Sequence, residues 1–167
     1  MLNIIEQRTG IEFISENSST WSKAVQKVKN KEVAMYSGVG ETKERKELMN
    51  FTQKHFLSAP YVFISREGEN YLDGFKDTRN KKVAVVDGYT IHSILNNNIP
   101  DVELIPQKTI TEALKNIQKK EIDVLVVNAV TAKYYIHTRG YKGLKIAYKT
   151  KFNLDLKIAV SKDVSPL

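Results

Sequence analysis

The sequence contains no cysteine among its 167 residues. Without thiols the chain can form no disulfide, no thiolate zinc site and no cysteine nucleophile. Long apolar runs are also missing, since no segment approaches the roughly 18 to 20 apolar residues that a membrane-spanning helix needs. The amino terminus lacks a basic, apolar leader of the secretory kind. We therefore expect any export or anchoring segment to lie outside this sequence.

Motifs for catalysis and for cofactors are missing as well. The three histidines, His55, His92 and His137, lie far apart and form neither an HxxH nor an HExxH pattern. No GxSxG, Walker or GxGxxG motif occurs, and Gly38-Val39-Gly40 is too short to be a dinucleotide fingerprint. We therefore predict no metal, no cofactor, no catalytic residue and no enzymatic activity.

Positive charge is in excess, with 26 lysines and arginines against 19 acidic residues and a formal net charge of +7. The basic residues are scattered along the whole chain, whereas a nucleic-acid surface needs them on one face. The densest run, 142–151, alternates with apolar residues as a half-exposed strand does. We therefore expect no nucleic-acid partner, but a weak attraction for anionic ligands or membrane surfaces.

Strand-like and helix-like segments alternate along the chain, which is typical of an α/β protein with a largely parallel sheet. Ser19-Thr20 and the capping box of Thr109 and Glu112 mark helix starts, and Gly10 marks the end of a first helix. Lys43–Asn50 is a further predicted helix. The predicted strands are 11–14, 33–36, 62–65, 83–86, 102–105, 124–127, 144–148 and 156–160.

Two segments of the chain resemble each other. Residues 31–38 and residues 81–88 each read as a strand that ends in glycine, and Thr42 or Thr90 follows just before the next helix. In open α/β sheets, ligands bind where the carboxyl end of a strand meets the amino terminus of a helix. Free backbone N–H groups and the helix dipole favour an anion there. The two junctions therefore suggest two walls of one cleft.

Several motifs in order resemble the bacterial extracellular solute-binding proteins of family 3. Residues 37–45 (SGVGETKER) resemble the family's G-x-x-x-T-x-E-R motif, and Phe51-Thr52 and Pro60-Tyr61 resemble the segments that follow it. Residues 81–88, 121–128 and 156–167 resemble the motifs G-K-x-V-A-V-x-x-G, G-x-V-D-A-x-x-x-D and I-A-V-x-K-D-x-P-L. The resemblance covers essentially the whole chain.

This resemblance implies a two-lobed periplasmic-binding-protein type II (Venus-flytrap) architecture that is apparently truncated at both ends. Lobe one would contain residues 1–58 plus 157–167 and would be incomplete, and lobe two would contain residues 59–156. Two extended crossings near Pro60 and Leu154 would let the lobes close on a ligand.

The resemblance also implies a ligand site. Arg45 matches the arginine that binds the ligand carboxylate in two parallel hydrogen bonds; the alternative is a surface arginine paired with Glu41. Gly38 matches a position whose carbonyl faces the ligand, and Gly40 falls where many members have a threonine. On lobe two, the expected ligand-binding residues are Gly88, Tyr89, Thr90 and Asn128.

Two further residues, Asn128 and Trp21, need an interpretation of their own. Asn128 falls where amino-acid receptors usually have an aspartate for the α-ammonium group, and an amide supplies no countercharge. An α-amino-acid ligand is therefore in doubt. Trp21 shares a helical spacing with Ala24, Val25 and Val28, so we interpret it as a core residue.

The function that the resemblance implies is binding of a small solute, an amino acid or small carboxylate, outside the cytoplasm or in the periplasm. The expected partners are an anionic or carboxylate-bearing ligand and a membrane-anchored histidine kinase or diguanylate cyclase, for which the chain would be the sensor domain. The alternative is the solute-binding component of an ABC amino-acid transporter. Residues 8–13 (RTGIEF), residues 50–52 (NFT) and Pro60 resemble the sensor branch of the family, which favours the first role.

Overall fold

The computed structural model describes residues 2–164, which form six α-helices and seven β-strands. The helices are α1 (Leu2–Thr9), α2 (Trp21–Lys29), α3 (Lys43–Leu48), α4 (Thr90–Asn98), α5 (Ile110–Gln118) and α6 (Ala129–Lys133). The strands are β1 (Met35–Val39), β2 (Met49–Phe51), β3 (Leu57–Arg66), β4 (Val83–Val86), β5 (Leu104–Gln107), β6 (Val124–Asn128) and β7 (Leu144–Ser161). A 3-10 turn (Phe75–Thr78) precedes β4, and a π-helical turn (Tyr134–Thr138) continues α6.

Threonine caps begin three of the helices, all at predicted positions. The side chain of Thr20 accepts a hydrogen bond from the Lys23 N–H, and Thr109 accepts one from Glu112. Thr42 caps α3 in the same way through the Arg45 N–H. These bonds satisfy backbone donors that have no partner inside the helix. Local sequence therefore determines where these helices begin.

The sheet is mixed rather than largely parallel, which corrects the sequence prediction. Its strand order is β1-β7-β3-β6-β4-β5, with β2 also paired to β7. Strand β4 is parallel to both β5 and β6, as predicted for residues 83–86 and 124–127, whereas β3 is antiparallel to β6 and to β7. The antiparallel β3–β7 pair arises because the chain returns along β3 through one long final strand.

That final strand corrects a second prediction. The sequence suggests two strands, 144–148 and 156–160, but β7 is continuous from Leu144 to Ser161. Its first part pairs with β3 from Arg66↔Leu144 to Leu57↔Leu156, and its last residues pair with β1 and β2. Pairing with β3, β1 and β2 keeps the backbone extended on both sides of a register irregularity between Lys149 and Asn153.

The predicted strand 11–14 is wrong, because these residues are not part of any ladder. The Phe13 N–H donates to the Glu6 carboxylate at 2.9 Å instead of to a neighbouring strand. Ile14 is 85% exposed. Strands need a partner strand, and local β propensity alone did not supply one here. Helix Lys43–Asn50 is also shorter than predicted, since Met49–Phe51 pairs with β7 as β2.

The hydrophobic core is divided in two. A small cluster joins α2, β1, β2 and the end of β7 through Val28, Val39, Met49 and Ala159, and we call this part the small lobe. Two larger clusters cover both faces of the sheet formed by β3 to β6 and the start of β7, and we call that part the large lobe. The residue boundaries 1–58 plus 157–167 and 59–156 stay a prediction, and Met1 and residues 165–167 lie outside the described residues.

Candidate functional site

A cavity of about 180 Å³ lies between the small lobe and the large lobe. We call it the interlobe cavity. Its walls come from the start of α2, from β1, from β3, from the amino-terminal ends of α4 and α6, and from the middle of β7. The lining residues are Trp21, Gly38, Val39, Gly40, Tyr61, Tyr89, Thr90, Asn128, Thr131, Leu154 and Leu156.

Five of the seven predicted site residues line this one cavity: Gly38, Gly40, Tyr89, Thr90 and Asn128. The first two come from the small lobe and the other three from the large lobe. Arg45 and Gly88 do not line it. They lie behind it, in a separate cavity of about 190 Å³ beside α2 and α3.

Arg45 is held by acceptors of the protein itself. Its Nη1 donates to the Gly40 carbonyl at 2.7 Å and to the Thr90 hydroxyl at 2.8 Å. Its Nη2 donates to the Gly88 carbonyl at 2.6 Å. Gly40 belongs to the small lobe, whereas Gly88 and Thr90 belong to the large lobe. The guanidinium group therefore ties the two lobes together.

None of these acceptors carries a charge. Burial lowers the pKa of the Arg45 guanidinium, because removal from water disfavours its charged form. The Glu41 carboxylate, the predicted alternative partner, instead bonds to Lys157 and Lys46, each at 2.9 Å. Hydrogen bonds from those two lysines lower the pKa of Glu41. The predicted pairing of Arg45 with Glu41 is therefore wrong.

Trp21 is a site residue that the sequence interpretation missed. Its indole N–H donates to the Gly88 carbonyl at 2.8 Å, and its ring stacks on Tyr36 with centroids 5.4 Å apart. The Arg45 Cζ atom lies 5.2 Å from the centre of the Trp21 ring, a cation–π geometry. Apolar spacing indicated only that Trp21 faces inward, and the position of the second lobe decides what it meets.

A further bond links the same segments. The Ser22 hydroxyl donates to Asp87 at 3.0 Å. Together, Trp21, Ser22 and Arg45 of the small lobe hold residues 87–90 of the large lobe, and we call this set of contacts the interlobe clasp. The clasp keeps the lobes in contact.

Two glycines make this close approach possible. A Cβ atom on Gly40 would lie 2.5 Å from the Thr90 hydroxyl oxygen, and one on Gly88 would lie 3.1 Å from the Trp21 ring. Gly88 also has a φ of +70°, which favours glycine. At both positions, glycine lets the backbone of one lobe approach side chains of the other.

Asn128 caps α6, because its Oδ1 accepts from the Thr131 N–H at 3.0 Å. The same amide lines the interlobe cavity. The bond to Thr131 uses one lone pair of Oδ1, and the NH₂ group supplies the donors that Asn128 can offer to a cavity ligand.

Two tyrosines of the lining are neutral. Burial raises the pKa of Tyr61 strongly and raises the pKa of Tyr89 as well. Tyr61 is directly opposite Asn128 in the β3–β6 ladder. Both phenols therefore remain protonated at any physiological pH.

Within residues 2–164, no group of three or more His, Asp or Glu side chains is arranged to hold a metal ion. In the same range, none of the helices combines the length and the apolar character that crossing a membrane requires.

Comparison with known proteins finds a matching family and a curated relative. The family described as bacterial extracellular solute-binding proteins, family 3, matches residues 1–124. Sensor protein EvgS of Escherichia coli (strain K12) is 26% identical over 136 residues, which are 81% of this chain and 11% of EvgS. The chain thus spans only a small part of that curated relative.

Solved structures share the fold. The periplasmic VFT2 domain of Bordetella pertussis BvgS has a TM-score of 0.83 at 19% identity, and the match covers 98% of this chain and 69% of that one. The holo form of ArgBP from T. maritima has a TM-score of 0.80 at 22% identity, over 96% of this chain and 70% of that one. The Venus-flytrap fold that the sequence predicts is confirmed by these likenesses.

Proposed function

This chain belongs to family 3 of the bacterial extracellular solute-binding proteins, and we propose from that premise that it binds a small solute in the interlobe cavity. The observation that carries the proposal is the convergence of five predicted residues from both lobes on one cavity. A solute held between two lobes shifts the equilibrium between open and closed forms by its differential affinity for them. Closure is then the signal.

The proposed role is sensory input to a membrane-anchored signalling protein, on the extracytoplasmic side of the membrane. The printed names of relatives support it, since EvgS is a sensor protein and the BvgS domain is periplasmic. The alternative role is the solute-binding component of an ABC transporter, which the family resemblance also implies. A fusion of the chain to a membrane-anchored histidine kinase would distinguish the sensor role from the transport role. Added solute should change autophosphorylation of the kinase only if the chain is a sensor domain.

Arg45 bears on the class of solute. The sequence predicts a carboxylate-bearing or other anionic solute, because Arg45 resembles the carboxylate-binding arginine of the family. In the interlobe clasp, however, the Arg45 donors already serve carbonyl and hydroxyl oxygens of the protein. These contacts favour a different role for Arg45, as the side chain that holds the lobes together.

Binding in the cavity is tested by a blocking variant. Thr131 lines the cavity in the first turn of α6, and Thr131→Trp fills it. Val130 is the preceding residue of the chain and is 57% exposed, so Val130→Trp is the matched control. A thermal-shift screen of small solutes should yield a compound that stabilises the native chain by about 2.7 kcal/mol at 100 times its Kd. The Thr131→Trp variant should lose that stabilisation and Val130→Trp should keep it; equal stabilisation of both would refute binding in this cavity.

A further inference from the structure

The side chains that line the interlobe cavity are all uncharged. The lining consists of tryptophan, tyrosine, leucine, valine, glycine, threonine and one asparagine. Its two tyrosines keep their protons, because burial raises the pKa of each phenol. A ligand in this cavity therefore meets apolar surface, hydroxyl groups and one amide.

Within residues 2–164, no carboxylate lines the cavity. Asp87 accepts from Ser22 in the interlobe clasp, and Asp155, which follows Leu154 in the chain, accepts from Ser58 at 2.6 Å. A ligand ammonium group would therefore lack a countercharge on the cavity wall. An ammonium group taken out of water without a paired charge is strongly unfavourable.

A ligand carboxylate in the cavity would find no cation among the described lining side chains, since Arg45 lies behind the cavity. Three of the five N–H donors of Arg45 are committed to the protein: both hydrogens of Nη1, to Gly40 and Thr90, and one hydrogen of Nη2, to Gly88, which also holds Trp21. A carboxylate that took these donors would release the clasp, so it would oppose the contact between the lobes that encloses it.

We propose that the interlobe cavity takes a small uncharged molecule with an apolar body and one hydrogen-bond acceptor that Asn128 binds through its NH₂ group. The inference rests on the proposed solute-binding function and names its ligand class. The volume of about 180 Å³ suits it, since a cavity of about 150 Å³ holds a benzene molecule. The apolar body would contact Leu154, Leu156 and Trp21.

Charge is tested with compounds of matched shape. Benzamide and benzoate have the same outline but differ in charge, as do isobutyramide and isobutyrate, and benzylamine supplies a cation. Isothermal titration of the whole chain should show each amide binding at least about tenfold more tightly than its acid, and benzylamine binding most weakly. A standard set of α-amino acids is titrated beside them.

Asn128→Asp tests the polar contact. Aspartate also caps helices through a side-chain oxygen, so it keeps the bond to the Thr131 N–H, but it replaces the NH₂ donor by an acceptor. The melting temperature without ligand should change little. Affinity for benzamide should fall about tenfold or more, and affinity for benzylamine should rise. Unchanged affinity for benzamide would show that Asn128 does not bind the ligand.

The outcomes separate the two proposals. If the acids or the amino acids bind more tightly than both amides, the ligand class is wrong and the solute-binding function stands. If neither amide binds while a charged solute does, the same conclusion follows. If no solute of any charge binds, both the ligand class and the proposed function fail.

Discussion

Two arginines, Arg45 between the lobes and Arg66 inside the large lobe, hold backbone carbonyls in very different electrostatic surroundings. Arg66 donates to the Ile117 and Ile122 carbonyls at 2.8 and 2.7 Å, and also meets the carboxylates of Asp123 and Glu69. Arg45 meets only uncharged acceptors. The charge of Arg66 is thus balanced by carboxylates, whereas the charge of Arg45 is not.

The pKa values of the two guanidinium groups shift in opposite directions. Burial lowers the pKa of Arg45. Burial also acts to lower the pKa of Arg66, but hydrogen bonds with Asp123 and Glu69 outweigh it and raise the pKa. The Arg66 contacts therefore favour the charged form and make a stable lock. The Arg45 contacts leave its positive charge unbalanced between the lobes. Arg45 should therefore exchange its hydrogen-bond acceptors more easily than Arg66 does.

Removal of the Arg66 lock should have the largest effect on stability. Arg66→Ala removes a donor from two carbonyls and two carboxylates, of which Asp123 keeps the Lys82 N–H, and the Arg66 side chain is only 15% exposed. The free energy of unfolding should fall by about 3 kcal/mol in urea titration. Arg79→Ala is the control, since Arg79 is 66% exposed and lies 3.7 Å from Asp101; it should change stability by less than about 0.5 kcal/mol. Equal losses for both variants would contradict the lock.

Removal of Arg45 should act on the contact between the lobes rather than on unfolding. Arg45→Ala should shift the equilibrium toward separated lobes by about 2 kcal/mol, roughly 30-fold. Small-angle scattering should report a larger radius of gyration, while the free energy of unfolding falls by less than about 1 kcal/mol. Arg45→Lys should not restore the contact, because an ammonium group lacks the planar fork that reaches three acceptors.

Lys43 provides the control for this variant, because it lies on the same short helix and is exposed. Lys43→Ala should leave the radius of gyration unchanged. If Arg45→Ala instead unfolds the chain as strongly as Arg66→Ala does, the distinction between clasp and lock is lost.

The smallest expected effect concerns acid. Burial acts to raise the pKa of the Asp123 carboxyl group. Hydrogen bonds from the Lys82 N–H and from Arg66 outweigh this effect and hold the pKa below the ordinary value of 3.8. Because the folded pKa lies below the unfolded one, the stabilisation is present above about pH 4 and is lost as the pH falls through the folded pKa. Urea midpoints measured from pH 6 downwards should fall less steeply for Asp123→Asn than for the native chain. If the urea midpoints of the two proteins fall in parallel, the ionisation of Asp123 does not contribute to the stability of the Arg66 lock.

The chain's local features were predictable because their causes are local. Threonine caps and the capping box at Thr109 mark helix starts within a few residues. Buried apolar runs at 83–86 and 124–127 become central strands, and Gly10 ends α1 with a φ of +73°. The family resemblance predicted that Gly38, Gly40, Thr90 and Asn128 belong to one ligand site.

Contacts between distant segments were not predictable in the same way. The segment 11–14 has strand-like composition but no partner, and the long strand β7 is continuous because β3 lies beside it. Hydrophobic spacing made Trp21 inward-facing without saying that it would meet Gly88. In each case the deciding contact joins residues far apart in the chain.

The sequence by itself determined the alternation of helices and strands, the caps that begin the helices, the fold family and five of the residues that line the cavity. Only the tertiary structure decided that Arg45 donates to Gly40, Gly88 and Thr90 rather than to Glu41. The physical reason is that a guanidinium group takes whichever acceptors lie within about 3 Å. Which acceptors lie there depends on how the lobes meet, and no local pattern of residues carries that information.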